Sequence, residues 1–192
     1  MTSEEILDMA IAIFRHQGIK ATRLEHIAVN LNLSVSSLCE QVGSKADLLL
    51  SAVSFEFNRE HEYIERIQEE ETSLLGFIKK LYLHAIRFFF SFHPSFFKDL
   101  KSYPQVAKEF VFYIAYLRGN FNEAFQTCIE QELCRKECDS FLFSTFLCLR
   151  LEDIKNGIIL QKEKVSGIPN FVVTNLLLGC CTDKGRTKLM NA

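Results

Sequence analysis

Tryptophan is absent from this chain, and helix-breaking residues are scarce: three prolines and eight glycines among 192 residues. With 48% hydrophobic residues in long periodic stretches, that scarcity argues for an all-α protein with an ample core. Long uncharged apolar runs are missing too. The stretch around Phe88-Phe89-Phe90 is closed in by Arg87 and Lys98, far short of the roughly 18 apolar residues that a membrane span needs. No membrane partner is therefore expected. The N-terminus carries Glu4, Glu5 and Asp8 where a secretory signal would be basic, so the expected location is cytoplasmic.

Enzymatic signatures are lacking as well. There is no GxSxG, no HExxH, no phosphate-cradling glycine loop and no carboxylate pair beside a base. No catalytic residue, cofactor or metal site is expected, and the run Glu69-Glu70-Glu71 reads as a solvated break. The seven cysteines are odd in number and include no CxxC pair, which argues for reduced thiols filling small apolar positions. Cys134 and Cys138 lie one helical turn apart with Cys128 six residues earlier. That spacing leaves a thiol or metal sensor open.

Excess positive charge is also missing. The net charge is −2, and residues 1–50 repeat that balance, with four basic residues (Arg15, Lys20, Arg23, Lys45) against six acidic ones (Glu4, Glu5, Asp8, Glu25, Glu40, Asp47). Phosphate neutralisation supplies much of the affinity for DNA, so this count disfavours tight nucleic-acid binding unless the presented face differs from the average.

What is there is organised around Thr22 to Leu49. Thr22 followed by Glu25 has the spacing of a capping box, and Leu24, Ile27, Ala28 and Leu31 form the stripe of a short amphipathic helix. Asn32 and Leu33 make a turn, and Ser34 is suited to cap a second helix over Val35 to Val42. That helix shows Ser36, Ser37 and Gln41 outward and turns Leu38 and Val42 inward. Gly43-Ser44 stops it, and Ser44 can cap a third helix from Lys45. Two helices joined by a tight turn, the second thin and polar outside, make a helix-turn-helix layout. Ahead of it, Thr2 and Glu5 offer another capping box. Ile6, Leu7, Ala10, Ile11 and Phe14 form a buried stripe, and Gly18 closes the first helix.

These fifty residues resemble the N-terminal domain of the tetracycline-repressor (TetR) family of bacterial regulators. The likeness is carried by Ile6-Leu7, Ala10, Phe14, Gly18, Ala21-Thr22, Ile27-Ala28, Leu33-Ser34, Ser37-Leu38, Val42, Ser44-Lys45 and Leu48-Leu49. It implies a helix-turn-helix domain over residues 1–46 and a larger helical effector-binding and dimerisation domain over 47–192. By resemblance, Thr22, Ser34, Val35, Ser36, Ser37, Gln41 and Lys45 would face double-stranded operator DNA. Lys45, a cation beside a helix N-terminus, is the best phosphate contact among them. The chain departs from the family at Cys39, where tyrosine is usual, and at Gln41, where histidine or tyrosine is usual. Glu40 adds a carboxylate to the same short helix. All three changes weaken phosphate gripping.

Beyond residue 46 the periodicity predicts a helix from Lys45 to about Gln68 and another from Ser73 to His93. A short apolar segment follows at Phe96, Phe97 and Leu100. Long helices come next, from Val106 to about Glu132 and from Cys138 or Asp139 to about Asn156-Gly157. A loop around Val165 to Ile168 leads into a last helix ending at Cys180, and Asp183 onward reads as polar and frayed. The segment Ser140 to Leu151 is apolar nearly all round and needs partners on several sides, which agrees with the homodimer the resemblance implies. The resemblance also implies a pocket for a small apolar effector, for which Tyr82, His84, Phe89, Tyr113, Tyr116 and Asn120 are candidate lining. The expected function is a DNA-binding transcriptional regulator, in the repressor sense, released by that effector. Two alternatives stand beside it: a dimeric ligand-binding protein of the same fold with a weakened head, and the thiol or metal sensor.

Overall fold

The structure, a computed structural model, describes residues 2–156 and 167–190. Most of the loop expected around Val165, and the end of the helix expected at Gly157, lie outside the described residues. Among the described residues ten α-helices run in the order α1 (Ser3–Gln17), α2 (Leu24–Asn30), α3 (Val35–Val42), α4 (Lys45–Glu70), α5 (Leu74–Phe90), α6 (Pro94–Asp99), α7 (Pro104–Glu130), α8 (Ser140–Lys155), α9 (Ile168–Cys180) and α10 (Asp183–Met190). A 3-10 turn, Leu100–Ser102, follows α6. The all-α expectation is borne out, and no helix of the described residues is long and apolar enough to cross a membrane.

Contacts divide the chain into two compact units: Met1–Glu62 with Ser91–Tyr113, and Tyr63–Phe90 with Ile114–Ala192. The boundary falls inside α4 and inside α7 rather than at residue 46, so the unit that holds the helix-turn-helix is larger than that motif.

In the first unit, α1 starts as its sequence requires. Thr2 and Glu5 exchange their hydrogen bonds, at 2.8 and 3.2 Å. Ile6, Ala10, Ile11 and Phe14 form its buried face. Gly18 ends it at φ 84°, where a Cβ would meet the Ser95 Oγ at 2.0 Å. Around α6 a cluster of rings closes the unit. Phe110 stands edge-on to Phe57, Phe92, Phe96 and Phe97 at centroid distances of 4.9 to 5.8 Å, the edge-to-face geometry that ring quadrupoles favour.

The second unit is built on α5, which packs against α8, α9 and α10. Its buried residues, among them Leu75, Phe77, Ile78, Leu81, Tyr82, Ala85, Ile86, Phe88 and Phe89, cover much of its circumference. Phe125 of α7 stacks on Phe143 of α8 at 3.9 Å. The segment from Asp183 corrects the sequence reading. Instead of fraying it forms α10, with Gly185 and Leu189 buried. Its polar composition hid those two positions.

The docking of α10 depends on Gly185 having no side chain. A Cβ there would lie 2.0 Å from the Leu133 carbonyl oxygen and 2.9 Å from its carbon, both backbone atoms with little room to yield. Gly185→Ala is therefore expected to cost about 1–3 kcal/mol, the usual range for overpacking, whereas Gly119→Ala, with nothing within 4 Å of the new methyl, should gain about 0.5–1 kcal/mol of helix propensity. Urea unfolding of the two variants reads both effects, and similar values for the pair would contradict the packing described.

Candidate nucleic-acid interface and apolar cavity

The turn between α2 and α3 is set by one left-handed residue. Asn32 sits at φ 54°, a conformation asparagine tolerates better than most. The Leu33 amide then donates to the Ala28 carbonyl at 2.9 Å. Ser34 caps α3 by accepting from the Ser37 amide at 3.1 Å, and Leu38, fully buried, anchors the helix from below. Gly43 terminates it at φ 72°. Ser34, Val35, Ser36 and Gln41 are exposed on this short helix and Ser37 is half-exposed, so α3 has a largely polar outer face.

Thr22 is a correction. It is fully buried, and its hydroxyl donates to the Gly18 carbonyl at 2.8 Å. The N-cap of α2 is Arg23, without a side-chain bond, so the expected capping box with Glu25 does not form and Thr22 presents nothing to a duplex. The exposed cation beside it, Arg23, was passed over in the sequence reading, although a basic residue at the mouth of the motif was a legible signal.

Two further details temper the face. Gln41 folds its amide back onto the Ser37 carbonyl at 3.3 Å. Lys45 is half-buried; desolvation lowers its pKa, and the nearby Asp99 charge acts the other way. At the same helix start, Ser44 and Asp47 form a reciprocal cap, with the Ser44 amide 2.9 Å from the Asp47 carboxylate and the Asp47 amide 3.3 Å from the Ser44 hydroxyl. The hydrogen bonds from Ser44 hold the Asp47 carboxyl below its usual range. A carboxylate thus occupies part of the N-terminal field of α4 that would otherwise attract phosphate.

In the second unit an apolar cavity of about 360 Å³ opens between α5, α8 and α9. Tyr82, Ile86 and Phe90 line it from α5, Phe146, Arg150 and Ile154 from α8, and Ile168, Pro169 and Val172 from α9. Arg150 pairs with Asp153 at 3.0 Å and lies over the Phe146 ring at 5.6 Å. Burial pushes the Tyr82 phenol up to about 12, against the opposing pull of Arg150. A phenol and a guanidinium in an otherwise greasy wall suit an apolar molecule with one polar or anionic end.

Of the six residues expected to line a pocket, only Tyr82 lines this cavity. His84 lies against Tyr63 at 4.2 Å in a separate hollow of about 280 Å³. Phe89 is core, at 5.7 Å edge-on to Phe88. Tyr113 belongs to the first unit, where its hydroxyl donates to Glu60 at 2.8 Å. Asn120 bonds the Tyr116 carbonyl along its own helix at 3.0 Å, and burial raises the Tyr116 phenol. Arg150 was missed, though a lone cation inside the apolar Ser140 to Leu151 segment marked it. Among the described residues no group of three or more His, Cys, Asp or Glu is placed to hold a metal ion.

No protein-family model matches the sequence, and no curated protein matches it. Solved structures do resemble the fold. A TetR-family regulator of Cytophaga hutchinsonii superposes with a TM-score of 0.76 at 13% identity, covering 94% of this chain and 95% of its own. A TetR regulator of Legionella pneumophila gives 0.73 at 16% identity, covering 95% and 98%. A ketosteroid transcriptional regulator of Mycobacterium tuberculosis gives 0.63 at 16% identity, covering 94% and 95%. The chain therefore has the fold of TetR-family regulators over nearly its whole length.

The cavity makes a pH prediction. The folded pKa of Tyr82 lies above the ordinary phenol value of 10.0, at about 12, so the folded state holds the proton more tightly than the unfolded one. Stability is then unaffected by this group below pH 10 and is lost as pH rises from 10 towards 12. Denaturation midpoints across that window should fall less steeply in Tyr82→Phe than in the parent chain, and equal slopes would remove Tyr82 from the buried wall.

Proposed function

We propose that the protein is a homodimeric DNA-binding transcriptional regulator of the TetR type, acting as a repressor. The exposed Ser34–Gln41 face of α3 would enter the major groove, and Arg23 and Lys45 would hold phosphates on either side. The observation that carries the reading is the intact helix-turn-helix itself: Asn32 at the turn, Ser34 at the cap, Leu38 beneath and a polar outer face above. A homodimer supplies two such heads, set about one helical turn of DNA (about 34 Å) apart on a two-fold symmetric operator. An apolar effector with a polar end, held by Tyr82 and Arg150, would bias the heads towards one spacing and so release the DNA.

The dimer reading draws on α8 and α9. Phe141, Leu142, Leu149 and Phe171 are 54 to 68% exposed on a single chain, more large apolar surface than scattered surface residues provide. The alternative of a ligand-binding protein with a weakened head draws on Gln41, folded back on its own helix, and on the carboxylates of Glu40 and Asp47.

Titration of operator DNA taken from the upstream region, against salt and random competitor, separates the two. Specific binding with a clear salt slope supports the regulator; binding that vanishes equally into competitor supports the weakened head. In the first case Arg23→Ala and Lys45→Ala should each weaken binding on all sequences and lower the salt slope by about 1. Unchanged slopes for both would mean that the duplex docks elsewhere. Leu142→Glu with Phe171→Glu should leave the fold's circular dichroism intact and shift sedimentation from two chains to one; a dimer that survives both changes would move the interface away from α8 and α9.

A further inference from the structure

Five of the seven cysteines come together at one end of the second unit, from segments more than 40 residues apart in sequence. The turn after α7 starts the assembly. Glu132 takes a left-handed conformation, φ 59°, and the Leu133 amide reaches back five residues to the Cys128 carbonyl at 2.8 Å, the closing bond of a Schellman-type helix end. Cys134 and Cys181 then face each other as an isolated antiparallel pair. Its flanking bonds run from the Arg135 amide to the Cys180 carbonyl, 2.9 Å, and from the Thr182 amide to the Leu133 carbonyl, 3.0 Å. That pattern marks a non-hydrogen-bonded pair, in which opposing Cα atoms stand about 4.5 Å apart. The two segments are clamped by backbone, independently of any sulfur chemistry.

The clamp places a second, outer pair. The Cys138 amide donates to the Arg135 carbonyl at 3.1 Å, which folds Cys138 back until its sulfur lies 3.9 Å from the Cys180 carbonyl. That contact sets the Cys138 thiol beside Cys180, and its proximity helps raise the Cys180 pKa. Both are half-exposed, whereas Cys128, Cys134 and Cys181 are buried. A hollow of about 520 Å³ lies over the bridge; Arg135, Lys136, Lys184 and the 1%-exposed Cys134 are among its lining residues, and Cys138 and Cys180 are not. Burial pushes the Cys180 thiol up to about 12, with Arg135 pulling it down. The inner Cys134 thiol is raised to about 12 as well, chiefly by Cys128; it differs from the outer pair in being buried, where an oxidant reaches a thiol poorly.

We propose that Cys138 and Cys180 form a dithiol that a hydroperoxide oxidises to a reversible disulfide, stapling the α9–α10 junction to the turn before α8. The Cys138 sulfur attacks the hydroperoxide; the O–O bond breaks, the alcohol (or water) leaves, and Cys138 becomes a sulfenic acid. The Cys180 sulfur then attacks that sulfenic sulfur; an S–S bond forms, the S–O bond breaks, and water leaves with the Cys180 proton. Two thiols lose two electrons and one hydroperoxide is reduced. The inner pair stays reduced, and the clamp keeps the outer sulfurs in register while the bond is made or broken. The chemistry does not depend on whether the head binds DNA.

The experiment treats the reduced full-length chain with a small molar excess of hydrogen peroxide, alkylates it under denaturing conditions and measures intact and peptide masses. The expected product is lighter by about 2 Da before alkylation, takes five alkyl groups rather than seven, and reverts with dithiothreitol. Cys138→Ser and Cys180→Ser should each abolish the cross-link, while Cys39→Ser, Cys134→Ser and Cys181→Ser retain it. If either outer variant fails to fold, fragmentation between residues 180 and 181 of the oxidised parent chain identifies the linked sulfur directly. A chain that keeps all seven thiols, a Cys134–Cys181 bond, or a link through Cys39 would overturn the proposal.

Discussion

A single guanidinium ties the first unit together. Arg15, near the end of α1, forms an ion pair with Glu56 of α4, lies 4.7 Å over the Phe92 ring, and lends its backbone carbonyl to the His93 amide at 2.7 Å. One residue thus joins the first helix of the head, the long helix that follows it and the aromatic segment around α6. Both ionic partners are largely shielded from water, where a pair is screened little and where losing one member leaves a charge in poor solvent. The three-helix head, too small to bury much surface alone, is set on this connection. That is why the compact unit extends to Tyr113, well past the helix-turn-helix motif.

Local signals were legible in the sequence where they were chemical. The Thr2 box, the Ser34 cap and the Asp139 start of α8 each rest on a side chain that bonds its own neighbouring backbone, the Gly43 stop rests on a residue free to take φ 72°, and all four are found. Thr22 failed for a reason of the same kind: its hydroxyl could accept from an amide of the helix ahead or donate to the carbonyl four residues before it, and the donation to Gly18 is the bond it makes. Tertiary facts were less visible. Helical period shows which face of α5 points inward, but not which inward-facing residue borders a void, so Tyr82 and Phe89 look alike in sequence and differ in place. The burial of α10 rests on Gly185, a residue whose contribution is the absence of atoms, and no hydropathy pattern records that.

The electrostatics of the head are poised rather than strong. Exposed cations are few, Lys45 shares its surroundings with Asp99, and the N-terminus of α4 already has the Asp47 carboxylate as its anion. Reading a base sequence does not require a large positive field, because discrimination comes from edge contacts while phosphates give grip. In the proposed dimer, a head of this composition would rely on two copies acting together more than one rich in arginine would.

If the proposed dimer covers the bare apolar side chains of α8 and α9, a consequence for abundance follows. Surface that is covered only by a second copy makes folding stability a function of how many chains are present. At low copy number the chain would spend more time with those side chains in water, open to proteases and to wrong partners; at higher copy number each chain protects the next. The cellular level of the protein would then be self-reinforcing near a threshold, so that a modest change in synthesis rate changes the lifetime of every molecule already made.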